Sequence, residues 1–418
     1  MKKLALLLLA AISVSGCQRI TDLQRPEDYA YHLPEGAGRW ERTFTGFWTG
    51  MNNNYVFWDI DPTDWEKVYQ NYRSRFTALD ALKNTSKDEL LRRAKDYFIE
   101  ITKNLIDGQF SLTLEDDPGL PIMPGLAKYY EQFGANYYDQ NTWERSGVLR
   151  SEMMAETTEA LINNIQNYSR PGTLSTGESG DLLAAVCKIP LRDNSNDNIL
   201  YFCFSDFRLY KNLVENNAPP PDLLNVWNYF KNNVYAGDIR GVIVDVRGNS
   251  GGDIADLSLI WGKVFSKTRY QIGYQKQKIG DGRLDFAPLV PFYIFGDPEN
   301  PRDLQVPLAL LVNKGSASCS ELSALFVRSL PKGFLVGGTT FGGQGAVTDN
   351  EYFNAGQFST LGIELCGASS TQTLDLGKKS FEGKGLEPDY PVTFDYSLFS
   401  QGADRRLEKA IEVIQTKQ

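Results

Sequence analysis

The chain has 418 residues, enough for about two or three compact units. Hydrophobic residues make up 42% and aromatics 12%, which excludes a fibrous or wholly disordered chain. The formal net charge of -9 argues against a nucleic-acid partner, because phosphate binding needs clustered Lys and Arg.

The chain opens with Lys2 and Lys3, an apolar run from Leu4 to Ile12, and then Val14-Ser15-Gly16-Cys17. An apolar run this short cannot span a bilayer, so residues 1–17 read as a signal peptide. The Val-Ser-Gly-Cys ending resembles a bacterial lipobox, in which Cys17 would carry lipid and become the mature N-terminus. The expected location is therefore the cell envelope, with the membrane as a partner reached through that lipid. Residues 18–38 read as a polar tether, which contains His32, the single histidine of the chain. Four cysteines remain, Cys187, Cys203, Cys319 and Cys366. Their spacing fits no zinc pattern, and pairing of Cys187 with Cys203 stays open beside free buried thiols.

From residue 39 to 175 the pattern is that of a helical N-terminal domain. Thr63 and Glu66 have capping-box spacing ahead of Trp65, Val68, Tyr69, Tyr72 and Phe76. Ser86 and Glu89 repeat it before Leu90, Leu91, Ala94, Tyr97, Phe98 and Ile101. A third helical stretch covers Glu152 to Ile165, and Arg170-Pro171-Gly172 looks like a boundary. From 176 to 418 the period changes. Leu182 to Ile189, Ile199 to Phe207, Gly241 to Val246, Val306 to Val312 and Gly333 to Val336 read as strands. Helices are expected at Asp222 to Asn232, Ile254 to Phe265 and Cys319 to Leu330, with a closing one through Leu407, Ala410, Ile411 and Ile414. Strands alternating with helices imply an α/β fold whose largely parallel sheet is linked by crossover helices.

Two loops carry candidate chemistry. Asp245-Val-Arg-Gly-Asn-Ser-Gly-Gly252 follows a buried strand, and its glycines let backbone N–H groups approach a ligand. Asn313-Lys-Gly-Ser-Ala-Ser-Cys-Ser-Glu321 leaves another buried strand and opens a helix. A serine there can present its hydroxyl beside helix N-terminal donors, or Ser318 and Glu321 can simply form a capping box.

Together the two segments resemble the signature segments of the tail-specific (C-terminal-processing) and tricorn-core serine peptidases. The likeness runs from Gly180 to Val392 and includes Leu200 to Phe207, Gly337-Gly-Thr-Thr-Phe-Gly-Gly343 and Gly383-Lys-Gly-Leu-Glu-Pro-Asp389. Leu105-Ile-Asp-Gly-Gln-Phe-Ser111 extends it into the helical unit, and there is no clear PDZ domain. The resemblance implies a peptidase core acting on peptides or proteins through a serine ester, without metal or organic cofactor. Ser318 takes the nucleophile position, Cys319 would give one oxyanion N–H, and Gly251 or Gly252 the other.

Both bases expected from that resemblance are replaced. Gln109 stands where one branch has histidine, and Gly343 where the other has lysine; neither can accept a proton near neutral pH. Lys314, Lys378, Lys379 and Lys384 lie near these segments, and most are expected to be solvated. Glu321 could orient Ser318, though the capping role competes. The readings are a serine peptidase acting through a Ser318 acyl-enzyme, a pseudoenzyme binding peptides in the same cleft, or an envelope scaffold without a working cleft.

Overall fold

The computed structural model describes residues 36–191, 196–300, 302–347 and 354–417. Cys17, His32 and the leader lie outside the described residues. No helix among the described residues is long and apolar enough to cross a membrane.

Three helices open the described chain: α1 (Arg39–Asn54), α2 (Trp65–Asp80) and α3 (Lys87–Thr102). Helix α3 starts as the sequence suggests, with the Ser86 side chain accepting from the Glu89 N–H. Helix α2 does not. Asp64 caps it by accepting from the Lys67 N–H, because a carboxylate one residue nearer the first turn outcompetes the Thr63 hydroxyl. Strand β1 (Ser111–Leu114) and helices α4 (Pro124–Glu131), α5 (Glu152–Ala155) and α6 (Thr158–Ile165) follow.

The central sheet is built from β2 (Ser175–Ser179), β3 (Leu182–Pro190), β4 (Asn198–Phe204), α7 (Pro221–Asn233), β5 (Ile239–Asp245) and α8 (Ala255–Trp261). The hairpin β6 (Arg269–Gln277) and β7 (Val290–Phe295) leaves the sheet, which resumes with β8 (Leu308–Val312), α9 (Cys319–Ser329) and β9 (Gly333–Gly337). The chain closes with β10 (Gln357–Thr360), β11 (Ile363–Gly367), β12 (Thr371–Leu374), β13 (Tyr390–Pro391), α10 (Tyr396–Phe399) and α11 (Arg405–Thr416). The large sheet has the order β13-β9-β8-β5-β4-β3-β2. Strands β4, β5, β8, β9 and β13 pair in parallel, and the antiparallel hairpin β2–β3 finishes one edge. The fold is α/β with a mostly parallel sheet.

The apolar runs explain the layers. Every residue of β4 and β8 is buried, as expected of strands covered on both faces. One face packs on α7, α8 and α9 through Phe202, Val244, Leu310 and Phe326; the other packs on α6 and α11 through Tyr201, Ile243, Leu311 and Ile414. The N-terminal helices bury their aromatic stripe in a separate cluster containing Phe44, Phe47, Trp65, Phe76 and Phe98. That cluster takes in Ile363, Cys366 and Ala368, since β1 pairs with β11. The N-terminal unit thus meets the 357–368 segment that follows the large sheet.

Candidate active site

Strands β5 and β8 are parallel neighbours, with Asp245 opposite Leu311, so the loops at their carboxyl ends open side by side. Such carboxyl ends are where open α/β sheets bind ligands. The loops are stitched together. The Asn313 side chain accepts from the Gly248 N–H at 3.0 Å, Ser316 Oγ donates to the Val246 carbonyl at 2.7 Å, and Ser320 Oγ donates to the Asn249 carbonyl at 2.8 Å. Gly251, at φ +105, leaves no room for a side chain: a Cβ would lie 2.5 Å from the Ser318 Cβ and 3.0 Å from the Cys319 nitrogen. The glycine loop therefore presses against Ser318 with bare backbone.

Ser318 sits at the strand-to-helix junction with φ 53 and ψ −119, a conformation that costs a non-glycine residue about 1–3 kcal/mol. It does not form the capping box. Its side chain makes no cap hydrogen bond, and its N–H donates to the Gly343 carbonyl at 2.9 Å. Glu321 is drawn instead to the turn after β9. Its Oε1 accepts from Thr340 Oγ1 at 2.6 Å and the Gly342 N–H at 3.0 Å, and its Oε2 from the Gly343 N–H at 2.7 Å. Burial pushes this carboxyl up to about 7.

The expected oxyanion donors separate. The Gly251 N–H is already used, donating to Asn249 Oδ1 at 2.9 Å. The N–H groups of Gly252 and Cys319 have no acceptor among the described residues. Cys319 is the first residue of α9, where N–H groups lack an intrahelical partner. Its thiol points away to the Gly252 carbonyl at 3.2 Å, and burial pushes it up to about 12.

The two replaced base positions are one place in space. Gln109 Nε2 donates to the Gly343 carbonyl at 2.9 Å, the same oxygen that receives the Ser318 N–H. Gly108 packs so closely that a Cβ there would lie 2.7 Å from the Gly343 Cα. Two buried carboxylates support this contact, and neither was singled out from sequence. Asp107 accepts from the Gln109 N–H at 2.9 Å, the Ser369 N–H at 2.7 Å and the Ser369 hydroxyl at 2.8 Å. Glu382 accepts from the N–H groups of Gly108, Gln344 and Gly345, each at 2.8 Å. Burial raises both, Asp107 to about 6; the Asp61 charge raises Asp107 further, and the Asp107 charge raises Glu382 further. Glu382 directly precedes Gly383 in sequence, and its contact with Gly108 joins segments far apart along the chain, which the sequence does not reveal.

Lys378, Lys379 and Lys384 are exposed, as expected for most of the lysines. Lys314 is the exception: its ammonium donates to the carbonyls of Thr340 at 3.0 Å and Phe341 at 2.9 Å, and burial pulls it below the usual lysine range. All four cysteines of the described residues are free and buried, so Cys187 and Cys203 are thiols. Beneath the loops, Arg247 is fully buried. It pairs with Asp245 at 2.6 Å, Asp404 at 2.7 Å and Glu156 at 2.8 Å, while Arg406 binds Glu156 and Glu152. This network ties both site loops to α5 and α11.

Residues 208–392 match the family model described as peptidase family S41. That match covers less than half of the chain. The tricorn protease of Thermoplasma volcanium is 23% identical over 198 residues, covering 47% of this chain and 17% of that protein. The chain thus spans about a sixth of the curated relative's length. A structure assigned as a peptidase from Parabacteroides merdae superposes with a TM-score of 0.61 at 22% identity, covering 89% of this chain and 96% of that one. Mature CPAF, solved with lactacystin, gives 0.61 at 11% identity, with 90% and 98% covered. Both superpositions cover about nine-tenths of this chain, so the likeness in fold reaches beyond residues 208–392.

Proposed function

We propose that this S41 chain binds peptides or proteins in the cleft between the 246–252 loop and the 313–318 junction, and that it keeps the oxyanion-binding half of a serine peptidase without the proton-accepting half. Ser318 is the nucleophile position, and the N–H groups of Gly252 and Cys319 are the pair that would receive negative charge from a ligand carbonyl. Attack by Ser318 requires its proton to leave as the ester forms, and a neutral serine is a poor nucleophile without an acceptor. The observation that carries the reading is the Gln109 Nε2 bond to the Gly343 carbonyl: the side chain nearest the junction from that direction is a neutral amide used as a donor.

A second reading, an active peptidase working through a Ser318 acyl-enzyme, draws on the strained φ of Ser318, held with no capping return. One experiment separates the two. Fluorophosphonate labelling and peptide turnover are measured for wild type and Ser318→Ala, beside peptide binding. Binding that survives Ser318→Ala, with no turnover in either form, supports the binding reading. Turnover abolished by Ser318→Ala supports the peptidase. Loss of both labelling and binding in wild type leaves a scaffold with no working cleft.

The envelope location is part of the same proposal. Lipid on Cys17 would hold the domain at a membrane, supported by the Val-Ser-Gly-Cys ending. Metabolic palmitate labelling that persists in Cys17→Ala would remove this part.

A further inference from the structure

The segment that carries Ser318 also grips the turn that Ser318 touches. Glu321, three residues after the serine, accepts from the N–H groups of Gly342 and Gly343. Lys314, four residues before it, serves the opposite polarity. Its ammonium donates to the carbonyls of Thr340 at 3.0 Å and Phe341 at 2.9 Å, and lies 5.7 Å from the centre of the Phe341 ring. Between the two gripped pairs Gly342 takes φ +90, a backbone that glycine adopts without strain. Among the described residues no other group donates to either carbonyl. Thr340 is buried, and a buried carbonyl without a partner is costly, so one ammonium satisfies two acceptors of the turn.

Two residues beyond Phe341 lies the carbonyl that the serine uses. The Gly343 carbonyl accepts the Ser318 N–H at 2.9 Å, and the Phe341 N–H returns to the Ser316 carbonyl at 2.9 Å. Ser318 keeps φ 53 and ψ −119, a conformation that persists only where its surroundings over-determine it. Its own side chain makes no cap hydrogen bond, so the turn supplies part of that constraint. We propose that Lys314 is a positioning residue of the cleft: by fixing the carbonyls of Thr340 and Phe341 it keeps the Gly343 carbonyl on the Ser318 N–H, and so holds Ser318 at positive φ with the free Cys319 N–H in place against Gly251. The role belongs to the charge and its donors, not to the bulk of the side chain. The positioning needs no ligand, whereas its effect on affinity rests on the peptide-binding reading above.

The test compares the whole chain with Lys314→Met, which removes the ammonium, and Lys314→Arg, which keeps charge and donors. Amide hydrogen exchange is resolved to single residues by mass spectrometry with electron-transfer fragmentation. The Ser318 amide should exchange about tenfold faster in Lys314→Met, the scale of one hydrogen bond to a charged group, and return to the wild-type rate in Lys314→Arg. The amides of Leu322 to Phe326 inside α9 should stay as they are. Unchanged Ser318 exchange in folded Lys314→Met, or a change that arginine does not reverse, overturns the inference. Faster exchange spread evenly over α9 also overturns it and leaves Lys314 a merely structural residue. If Lys314→Met does not fold, Lys314→Gln, which keeps a neutral donor, takes its place and should show the same local change. A second arm measures affinity, by anisotropy, for the tightest member of a fluorescein-labelled decapeptide pool. It should fall about tenfold in Lys314→Met and recover in Lys314→Arg; equal affinities in all three overturn the link to the cleft. A pool without a binder refutes the peptide-binding reading, while the exchange arm still decides the role of Lys314.

Discussion

Replacing Gln109 by histidine is the sharpest test of the missing base. The Gln109 amide nitrogen is 2.9 Å from the Gly343 oxygen, which is itself 2.9 Å from the Ser318 nitrogen, so residue 109 is one bridging atom from the junction. An imidazole on the same backbone has similar reach. Its orientation would be set by Asp107, which already holds the residue 109 N–H, and by Glu382, which holds the N–H of Gly108. A positioned general base contributes about 10²–10⁴-fold, or roughly 2.7–5.4 kcal/mol of barrier. The second-order rate of fluorophosphonate labelling should rise by that factor in Gln109→His and vanish in Gln109→His with Ser318→Ala. The imidazole must be neutral to accept the proton, so labelling should increase with pH. Its midpoint should lie above the ordinary histidine value, because neighbouring carboxylates favour imidazolium. Gly343→Lys should gain less, since a Cβ there lies 3.2 Å from the Phe341 ring and 3.4 Å from the Gly108 backbone. If folded Gln109→His labels no faster than Gln109→Asn from pH 6 to 9, residue 109 does not face the serine and the reasoning fails.

Further outcomes follow from the same geometry. Gly251→Ala places a Cβ 2.5 Å from that of Ser318 at φ +105, and should cost about 1–3 kcal/mol in denaturant melts while abolishing labelling; wild-type labelling would show the contact to be absent. Stability should fall from pH 5 to pH 8, because Asp107 and Glu321 are raised to about 6 and 7 and the folded state holds their protons more tightly than the unfolded chain. For Glu321, rising from 4.5 to about 7, the loss is of order 3 kcal/mol across that window, and a flat melting temperature would contradict it. Arg247→Met strands Asp245, Glu156 and Asp404 without their shared cation, and should destabilise the chain by about 3–5 kcal/mol in the same melts. The buried thiols of Cys187, Cys203, Cys319 and Cys366 should resist aromatic disulfide reagents until the chain unfolds, and a reductant should leave the melting temperature unchanged.

Much of the site was legible because its parts are local. Glycines after a buried apolar run mark a loop that needs unusual backbone, and Gly248, Gly251 and Gly252 all have positive φ. Gln109 and Gly343, at the positions where the resemblance leads one to expect His or Lys, are read directly from the sequence. What sequence could not show is competition between distant groups. Ser318 and Glu321 have the spacing of a capping box, yet Glu321 finds three donors in a turn about twenty residues on. Lys314 reads as a surface charge until two carbonyls of that turn are found around its ammonium. Strand β6 (Arg269–Gln277) escaped notice because its polar residues mask the period, and α1 because its buried face includes Thr43, Thr45, Asn52 and Asn53. Glu382 acquires meaning only when residues 108, 344 and 345 meet.

The carboxylates supply the physical basis on which, in the proposed function, binding would be separable from chemistry. Asp107, Glu382 and Glu321 each take three donors, nearly all from backbone, and together fix the 340–345 turn against Gly108 and Ser318. Nine such hydrogen bonds, each contributing at least about 0.5–1.5 kcal/mol, outweigh the single neutral bond that Gln109 makes to Gly343. The framework therefore holds its shape whatever side chain residue 109 carries. Asp107 and Glu382 bear no cation partner in the ion pairs of the described residues, and burial raises both, so the frame is electrostatically suited to a positive group that glutamine does not supply. Exchanging a base for an amide at that point removes the proton acceptor and leaves the Ser318 junction, the Gly252 and Cys319 amides and the turn where they stand. Under the binding proposal, a junction supported in this way keeps its shape with an amide at residue 109.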